Sequence, residues 1–245
     1  NAGKIELPTF TAALTQKIIP LPQGKFLVNI GKGVQRYQAD GKLDTTFSSG
    51  GIVAASGIVD IALQSDEKVL LLTTDGYLKR YTAGGQLDTS FGTGGQVGYE
   101  AWRQGVNEFR GEGLLVLPGD KIIVGLLTRI YGTETGPKEP PPLDDHTMLV
   151  RHNPDGTLDR SFGQEGRVVY STARGVYRLR RLPDGKFLSF PNRYNADGSL
   201  NAVYSVPSDY SIEGTAIQSD GKVVLVGAVS RSTGNIHYPP NTDFI

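Results

Sequence analysis

One phrase recurs along the chain, and it constrains the fold more than any local propensity. It reads Arg36-Tyr37-Gln38-Ala39-Asp40-Gly41-Lys42-Leu43-Asp44 and returns as Arg80-Tyr81-Thr82-Ala83-Gly84-Gly85-Gln86-Leu87-Asp88. It comes back as Arg151-His152-Asn153-Pro154-Asp155-Gly156-Thr157-Leu158-Asp159, then as Arg193-Tyr194-Asn195-Ala196-Asp197-Gly198-Ser199-Leu200-Asn201. Self-similarity at a spacing of roughly 40–60 residues marks an architecture made from one repeated supersecondary unit. Repetition also changes how conspicuous residues are weighed. A charged or aromatic side chain present in every unit is scaffold before it is chemistry.

A second motif precedes each copy. An apolar run meets a tight polar turn ending in Lys, and a second apolar run follows. The turns are Pro22-Gln23-Gly24-Lys25, Ser65-Asp66-Glu67-Lys68, Pro118-Gly119-Asp120-Lys121, Pro183-Asp184-Gly185-Lys186 and Ser219-Asp220-Gly221-Lys222. Asp and Gly tolerate the positive φ of hairpin turns, so each unit reads as two hairpins. Strand a leads through the Lys turn to strand b. Strand c carries Arg-Tyr and leads through Asp-Gly to strand d, which carries Leu-Asp. Strand d ends in Asp44-Thr45-Thr46-Phe47, Asp88-Thr89-Ser90-Phe91 or Asp159-Arg160-Ser161-Phe162, and Gly-rich links such as Gly50-Gly51 and Gly94-Gly95 follow. No 3.6-residue amphipathic period is long enough for a helix.

Four antiparallel strands per unit predict an all-β chain, a five-bladed β-propeller of four-stranded antiparallel blades. The expected organisation is one domain over residues 1–245. Its blades cover approximately 11–50, 51–95, 96–165, 166–206, and 207–245 plus 1–10. Residues 1–10 enter the last blade because Asn1-Ala2-Gly3-Lys4-Ile5-Glu6 echoes Asn195-Ala196-Asp197-Gly198-Ser199-Leu200-Asn201 with one residue deleted. The N-terminal strand is thus expected to close the last blade and remove an exposed edge, with a six-bladed ring the alternative if sequence precedes Asn1.

Composition narrows the function classes. The 245 residues carry 25 basic and 25 acidic side chains, so no electrostatic footprint for nucleic acid exists. Without cysteine there is no disulfide, thiol chemistry or cysteine-bound metal. No apolar run reaches the about 20 residues of a membrane helix. The chain opens on Asn1 and its single Met is Met148, which reads as a processed or trimmed start, compatible with a removed export signal.

These motifs resemble the delta-60 repeat, a bacterial β-propeller repeat. Its unit runs Pro-Asp-Gly-Lys-Ile-Leu-Val-Ala-Gly, then Leu-Ala-Arg-Tyr-Asn-Ala-Asp-Gly-Ser-Leu-Asp-Thr-Ser-Phe-Gly. The match spans nearly the whole chain. Asn201 stands where the pattern has Asp, Val203-Tyr204 where it has Ser-Phe, His152 where it has Tyr, and blade four lacks the Gly-Gly link. The resemblance implies an exported protein (periplasmic, secreted or cell-surface) and no defined reaction.

The remaining motifs have structural readings. Arg36 with Asp44, Arg80 with Asp88 and Arg151 with Asp159 are expected to pair within each blade. The Asx-Gly turns lack the carboxylates of a calcium loop, and no Gly-rich loop leads into a phosphate-binding helix. His146, His152 and His237 lack zinc-ligand spacing. No metal, cofactor or catalytic residue is therefore assigned. Asp60, Glu100 and Glu213 are the acids that a channel-centred carbohydrate hydrolase would draw on, and nothing in the sequence brings them together.

The expected role is non-catalytic: a binding or interaction scaffold for a protein or glycan. Neither nucleic acid nor membrane insertion is expected, and the expected state is a monomer. A hydrolase and a structural module of a larger surface protein are the alternatives. Length variation concentrates in the b–c loops and d–a links, and long loops on a rigid scaffold are where binding resides. The candidate ligand-binding set there is Tyr99, Glu100, Trp102, Arg103, Tyr131, Asp144, Asp145, His146, His237 and Tyr238.

Overall fold

The computed structural model describes residues 17–99, 108–131, 142–171, 177–205 and 210–229. The chain divides into two compact units, residues 1–176 and 177–245. The described residues are all-β apart from short 3-10 turns, and every strand pairing is antiparallel.

The first unit holds three four-stranded meanders. The first contains β1 (Ile18–Pro20), β2 (Phe26–Asn29), β3 (Gly33–Tyr37) and β4 (Ile52–Ala54). The second contains β5 (Ile58–Leu63), β6 (Val69–Thr73), β7 (Leu78–Tyr81) and β8 (Gln96–Val97). The third contains β9 (Glu108–Val116), β10 (Ile122–Tyr131), β11 (Pro142–His152) and β12 (Arg167–Ser171).

Strand β6 shows why these sheets stack. Its five residues, Val-Leu-Leu-Leu-Thr, are all buried. Val69 and Leu71 pack with Leu27, Val34, Phe47 and Val53 of the first sheet. Leu70 and Leu72 pack with Leu114, Ile122, Val124 and Val150 of the third. A strand covered on both faces reads as a continuous apolar run rather than an alternation.

The second unit contains a fourth meander of β13 (Tyr177–Arg181), β14 (Phe187–Phe190), β15 (Asn192–Tyr194) and β16 (Leu200–Val203). A two-stranded sheet, β17 (Tyr210–Ile217) and β18 (Val223–Val229), follows it. Strand β14 is fully buried, whereas Val224 and Val226 of β18 are exposed.

The outer strand differs from expectation. In the first three sheets Leu-Asp does not form strand d. Leu43, Leu87 and Leu158 make single bridges to Tyr37, Tyr81 and His152, and the chain then leaves the ladder. The true fourth strand comes after the Gly-rich link, at β4, β8 and β12. Each therefore starts beyond the expected blade boundaries at 50, 95 and 165. The cause is the Asp itself. Its Oδ1 accepts from the backbone N–H and hydroxyl two residues on (Thr46, Ser90 or Ser161), which closes a turn instead of extending a strand. The following Phe47, Phe91 or Phe162 is then buried to within 1% of complete, a contribution of about 2–3 kcal/mol each. Only the fourth sheet behaves as expected. It lacks Asp, Ser-Phe and Gly-Gly, and β16 starts directly at Leu200.

Candidate functional site

The repeated phrase builds the same charged cluster three times. Each Arg Nε pairs with the Asp eight residues on, at 2.8 Å for Arg36–Asp44, 2.9 Å for Arg80–Asp88 and 2.8 Å for Arg151–Asp159. The turn lysine of the same sheet joins the carboxylate: Lys25 at 3.1 Å, Lys68 at 3.5 Å and Lys121 at 2.7 Å. Each guanidinium carbon lies 4.6, 4.6 or 4.9 Å from the ring centre of Phe47, Phe91 or Phe162. The hydroxyls of Thr46 and Ser90 hold Asp44 and Asp88 below the usual carboxylate range. Around Asp159 burial pulls the other way and is outweighed by Lys121, Ser161 and Arg151. The remaining arms tie neighbouring sheets together: Arg36 Nη1 donates to the Ala83 carbonyl at 2.7 Å, and Arg80 Nη1 to the Pro154 carbonyl. These clusters are the within-blade ion pairs expected from sequence, and their geometry is architectural.

The fourth copy breaks the pattern. Asn201 replaces the Asp and is exposed, and no Phe follows to carry the guanidinium. Tyr204 instead stacks on Phe190, with ring centres 6.4 Å apart. Among the described residues Arg193 donates only to Asp184, from Nη2 at 2.6 Å, and its buried Nε has no acceptor. Asp184 also takes Lys186 Nζ at 2.8 Å. Lys186, with help from Arg193, holds its carboxyl down to about 2.

Beside Arg193 the second unit has a cavity of about 400 Å³. Its wall includes Asp184, Arg193, Tyr204, Ser219, Asp220 and Lys222, with Ser205, Val223 and Leu225. Lys222 is held loosely: its Nζ stands 3.4 Å from Asp220 and the side chain is half exposed. The volume lies within the ordinary range for small-ligand sites. The cavity takes in the two Lys turns of the second unit, around Asp184 and Lys222, rather than any of the long-loop residues favoured by the sequence. Arg193 and Lys222 were not among the sequence candidates. The signal that marks them is the set of departures at Asn201, Val203-Tyr204 and the missing Gly-Gly link.

The sequence candidates are placed as follows. Tyr99 is 3% exposed and belongs to the core, which corrects its assignment to a ligand-facing surface. Its hydroxyl meets His152 Nε2 at 2.9 Å, while His152 Nδ1 meets the Gly156 carbonyl at 3.0 Å. The carbonyl requires a proton on Nδ1, so Nε2 accepts from Tyr99. Burial holds His152 down to about 4 and pushes Tyr99 upward. His146 is partly buried in β11. The backbone puts Tyr131 at the end of β10, and Asp144 and Asp145 in β11 opposite Ile130 and Arg129; their side chains lie outside the described set. Glu100, Trp102, Arg103, His237 and Tyr238 lie outside the described residues. Asp60 is fully engaged, accepting from Lys17 at 2.9 Å, from the Ile61 N–H at 2.8 Å and from the Leu114 N–H at 3.0 Å.

No family model and no curated protein matches the chain. Among solved structures, it is similar to a candidate gluconolactonase at 15% identity and a TM-score of 0.51, over 92% of this chain and 76% of that one. A gluconolactonase from Xanthomonas campestris matches at 16% identity and a TM-score of 0.46, over 84% of this chain and 72% of that one. The Dos1 propeller matches at 10% identity and 0.41, over 83% and 61%. At such identity the likeness is one of fold, and that fold is the β-propeller. Activity does not transfer with it.

Proposed function

We propose that this protein is a non-catalytic binding scaffold of the delta-60 repeat type, exported, and built as a five-bladed propeller. The last blade receives its outer strand from residues 1–10. The observation that carries the binding reading is the cavity beside Arg193. It lies where three sister units pair the Arg with an Asp eight residues on and the fourth does not. A scaffold that keeps one unit unlike the others, with charged side chains lining a cavity there, has the form of a recognition site. The exported context rests on the repeat resemblance. Among the described residues no helix is long and apolar enough to cross a membrane.

Engagement of Asp60 by three donors supports a scaffold over a channel-centred hydrolase, since a carboxylate committed to holding strands together is not available as a general acid or base. The sequence candidates Glu100, Trp102, Arg103, Tyr131, Asp144, Asp145, His146, His237 and Tyr238 are proposed as contacts for a protein partner. A glycan array combined with turnover assays on lactones and glycosides tests the role. Saturable glycan binding without turnover is the expected result. Turnover abolished by Asp60→Asn in a folded variant would establish the hydrolase instead.

A further inference from the structure

We infer that the cavity beside Arg193 recognises a carboxylate, and that its ligand is an acidic saccharide presenting a hexuronic acid residue. This deepens the scaffold reading and rests on it. The chain supplies its own calibration. In each sister cluster the same Arg takes an Asp carboxylate at 2.8–2.9 Å, reinforced by a Lys and a hydroxyl. In the fourth unit that carboxylate is gone, and the guanidinium keeps one bond, to Asp184. Nη1 makes none among the described residues; the buried Nε has no acceptor, a feature it shares with Arg80 Nε, so the spare arm that matters is Nη1. An Arg fork with an unused arm beside a cavity is a matched receptor for a carboxylate.

The other groups fit the same ligand. Lys222 supplies a second cation, half exposed and paired with Asp220 at 3.4 Å. Both wall carboxylates are already occupied: Asp184 by Lys186 and Arg193, Asp220 by the Lys222 N–H at 3.1 Å. The wall thus balances two cations against two carboxylates, and its unused donor capacity is on the Arg193 guanidinium. Ser205 and Ser219 offer hydroxyls for a sugar's hydroxyls, and Tyr204, Val223 and Leu225 offer apolar contact for a pyranose ring. A cavity of about 400 Å³ suits one or two sugar rings better than an extended peptide.

The test is calorimetric titration of the full chain at low salt. The probes are galacturonate and glucuronate oligosaccharides, their neutral hexose counterparts, an acidic peptide with a free C-terminus, and inorganic phosphate. Uronates are expected to bind at least about tenfold tighter than the neutral sugars, the scale of one charge-assisted contact, and to weaken as salt rises. Arg193→Gln and Lys222→Gln are each expected to lose about tenfold, and Arg193→Lys to recover part of that loss. Lys222 is half exposed on a turn, so its variant stays informative if Arg193→Gln is unstable. Equal affinity for acidic and neutral sugars, or uronate binding unchanged in both Gln variants, overturns the carboxylate assignment and leaves the scaffold reading standing. Phosphate competing as well as uronate shows a general anion site and overturns it too. Binding of the acidic peptide alone refutes the saccharide. No binding by any probe, with an empty glycan array, refutes both readings.

Discussion

Two residues that depart from the repeat show how differently a departure can act. His152 stands where sister strands carry Tyr. Tyr37 stacks on Phe26 at 5.2 Å, and Tyr194 on Phe187 at 5.4 Å. In the third sheet the cross-strand partner is Ile122, and His152 instead accepts from Tyr99 inside the core. That substitution is a packing solution with a pH signature. The folded chain holds the imidazole near 4 against 6.5 for a free group. Between those values the unfolded chain binds the extra proton, so stability is complete above about pH 6.5 and falls as the pH drops towards 4. The loss amounts to about 3 kcal/mol at roughly 1.4 kcal/mol per unit. Melting temperature measured from pH 7 to pH 4 should decline through that window. His152→Gln should be less stable at pH 7 and nearly flat across it; an equal slope in both proteins would assign the decline elsewhere. A further drop below about pH 3.8 is expected from Asp44, Asp88 and Asp159, whose folded values are depressed and whose stabilisation is lost on protonation. Asn201 is the other kind of departure, because it removes the Asp that pairs with the Arg and the turn Lys in the sister units and leaves Arg193 one bond among the described residues, to Asp184.

Among the elements, the Gly-rich link is the one whose role the sequence misassigned. It returns the chain to the sheet and starts the outer strand, rather than leading to the next unit. Its second glycine is obligatory. Gly51, Gly95 and Gly166 have φ of 93°, 94° and 92°. A Cβ at each would lie 2.7 Å from a Leu43, Leu87 or Leu158 side-chain carbon. The first position is permissive: Gly50 and Gly94 are replaced by Glu165 in the third sheet at φ 52°. Gly95→Ala should therefore destabilise by about 2 kcal/mol, while Gly94→Glu should stay within about 1 kcal/mol. Chemical denaturation of the two variants checks this, and equal losses would mean the link is not held as described. The strands β2, β6, β10 and β14 and the Lys turns were legible because apolar runs and positive-φ residues are local signals. The position of β4, β8 and β12 was not, because Asp turn closure and Phe burial outweigh the strand propensity of the residues between.

At the scale of the molecule, the two-stranded β17–β18 sheet is the part that differs most from its neighbours. Exposed Val224 and Val226 on β18 contrast with the fully buried β6 and β14. If residues 1–10 complete this blade, deleting them removes the outer strand of a sheet on which the last turn of the repeat depends. Such a truncation should melt markedly lower than the full chain, in one cooperative transition. An unchanged melting curve would separate those residues from the fold and refute the closure.

The sequence by itself determined the repeat, the antiparallel hairpins and the all-β class. Each is encoded locally, in turn residues that accept positive φ and in apolar runs that must be covered on both faces. It also determined the Arg–Asp pairing, because residues eight apart across one hairpin have few other places to go. Only the tertiary structure decided which conspicuous residues are spent on architecture. Asp60 and Tyr99 were candidates for chemistry or recognition, and both are consumed by contacts from strands far away in sequence. Arg193 was one of four equivalent arginines, and what distinguishes it is that its unit lacks the Asp eight residues on and pairs it with Asp184 beside a cavity instead. Such a difference is a property of neighbours in space, and a string of residues carries it only as a single Asn in place of Asp.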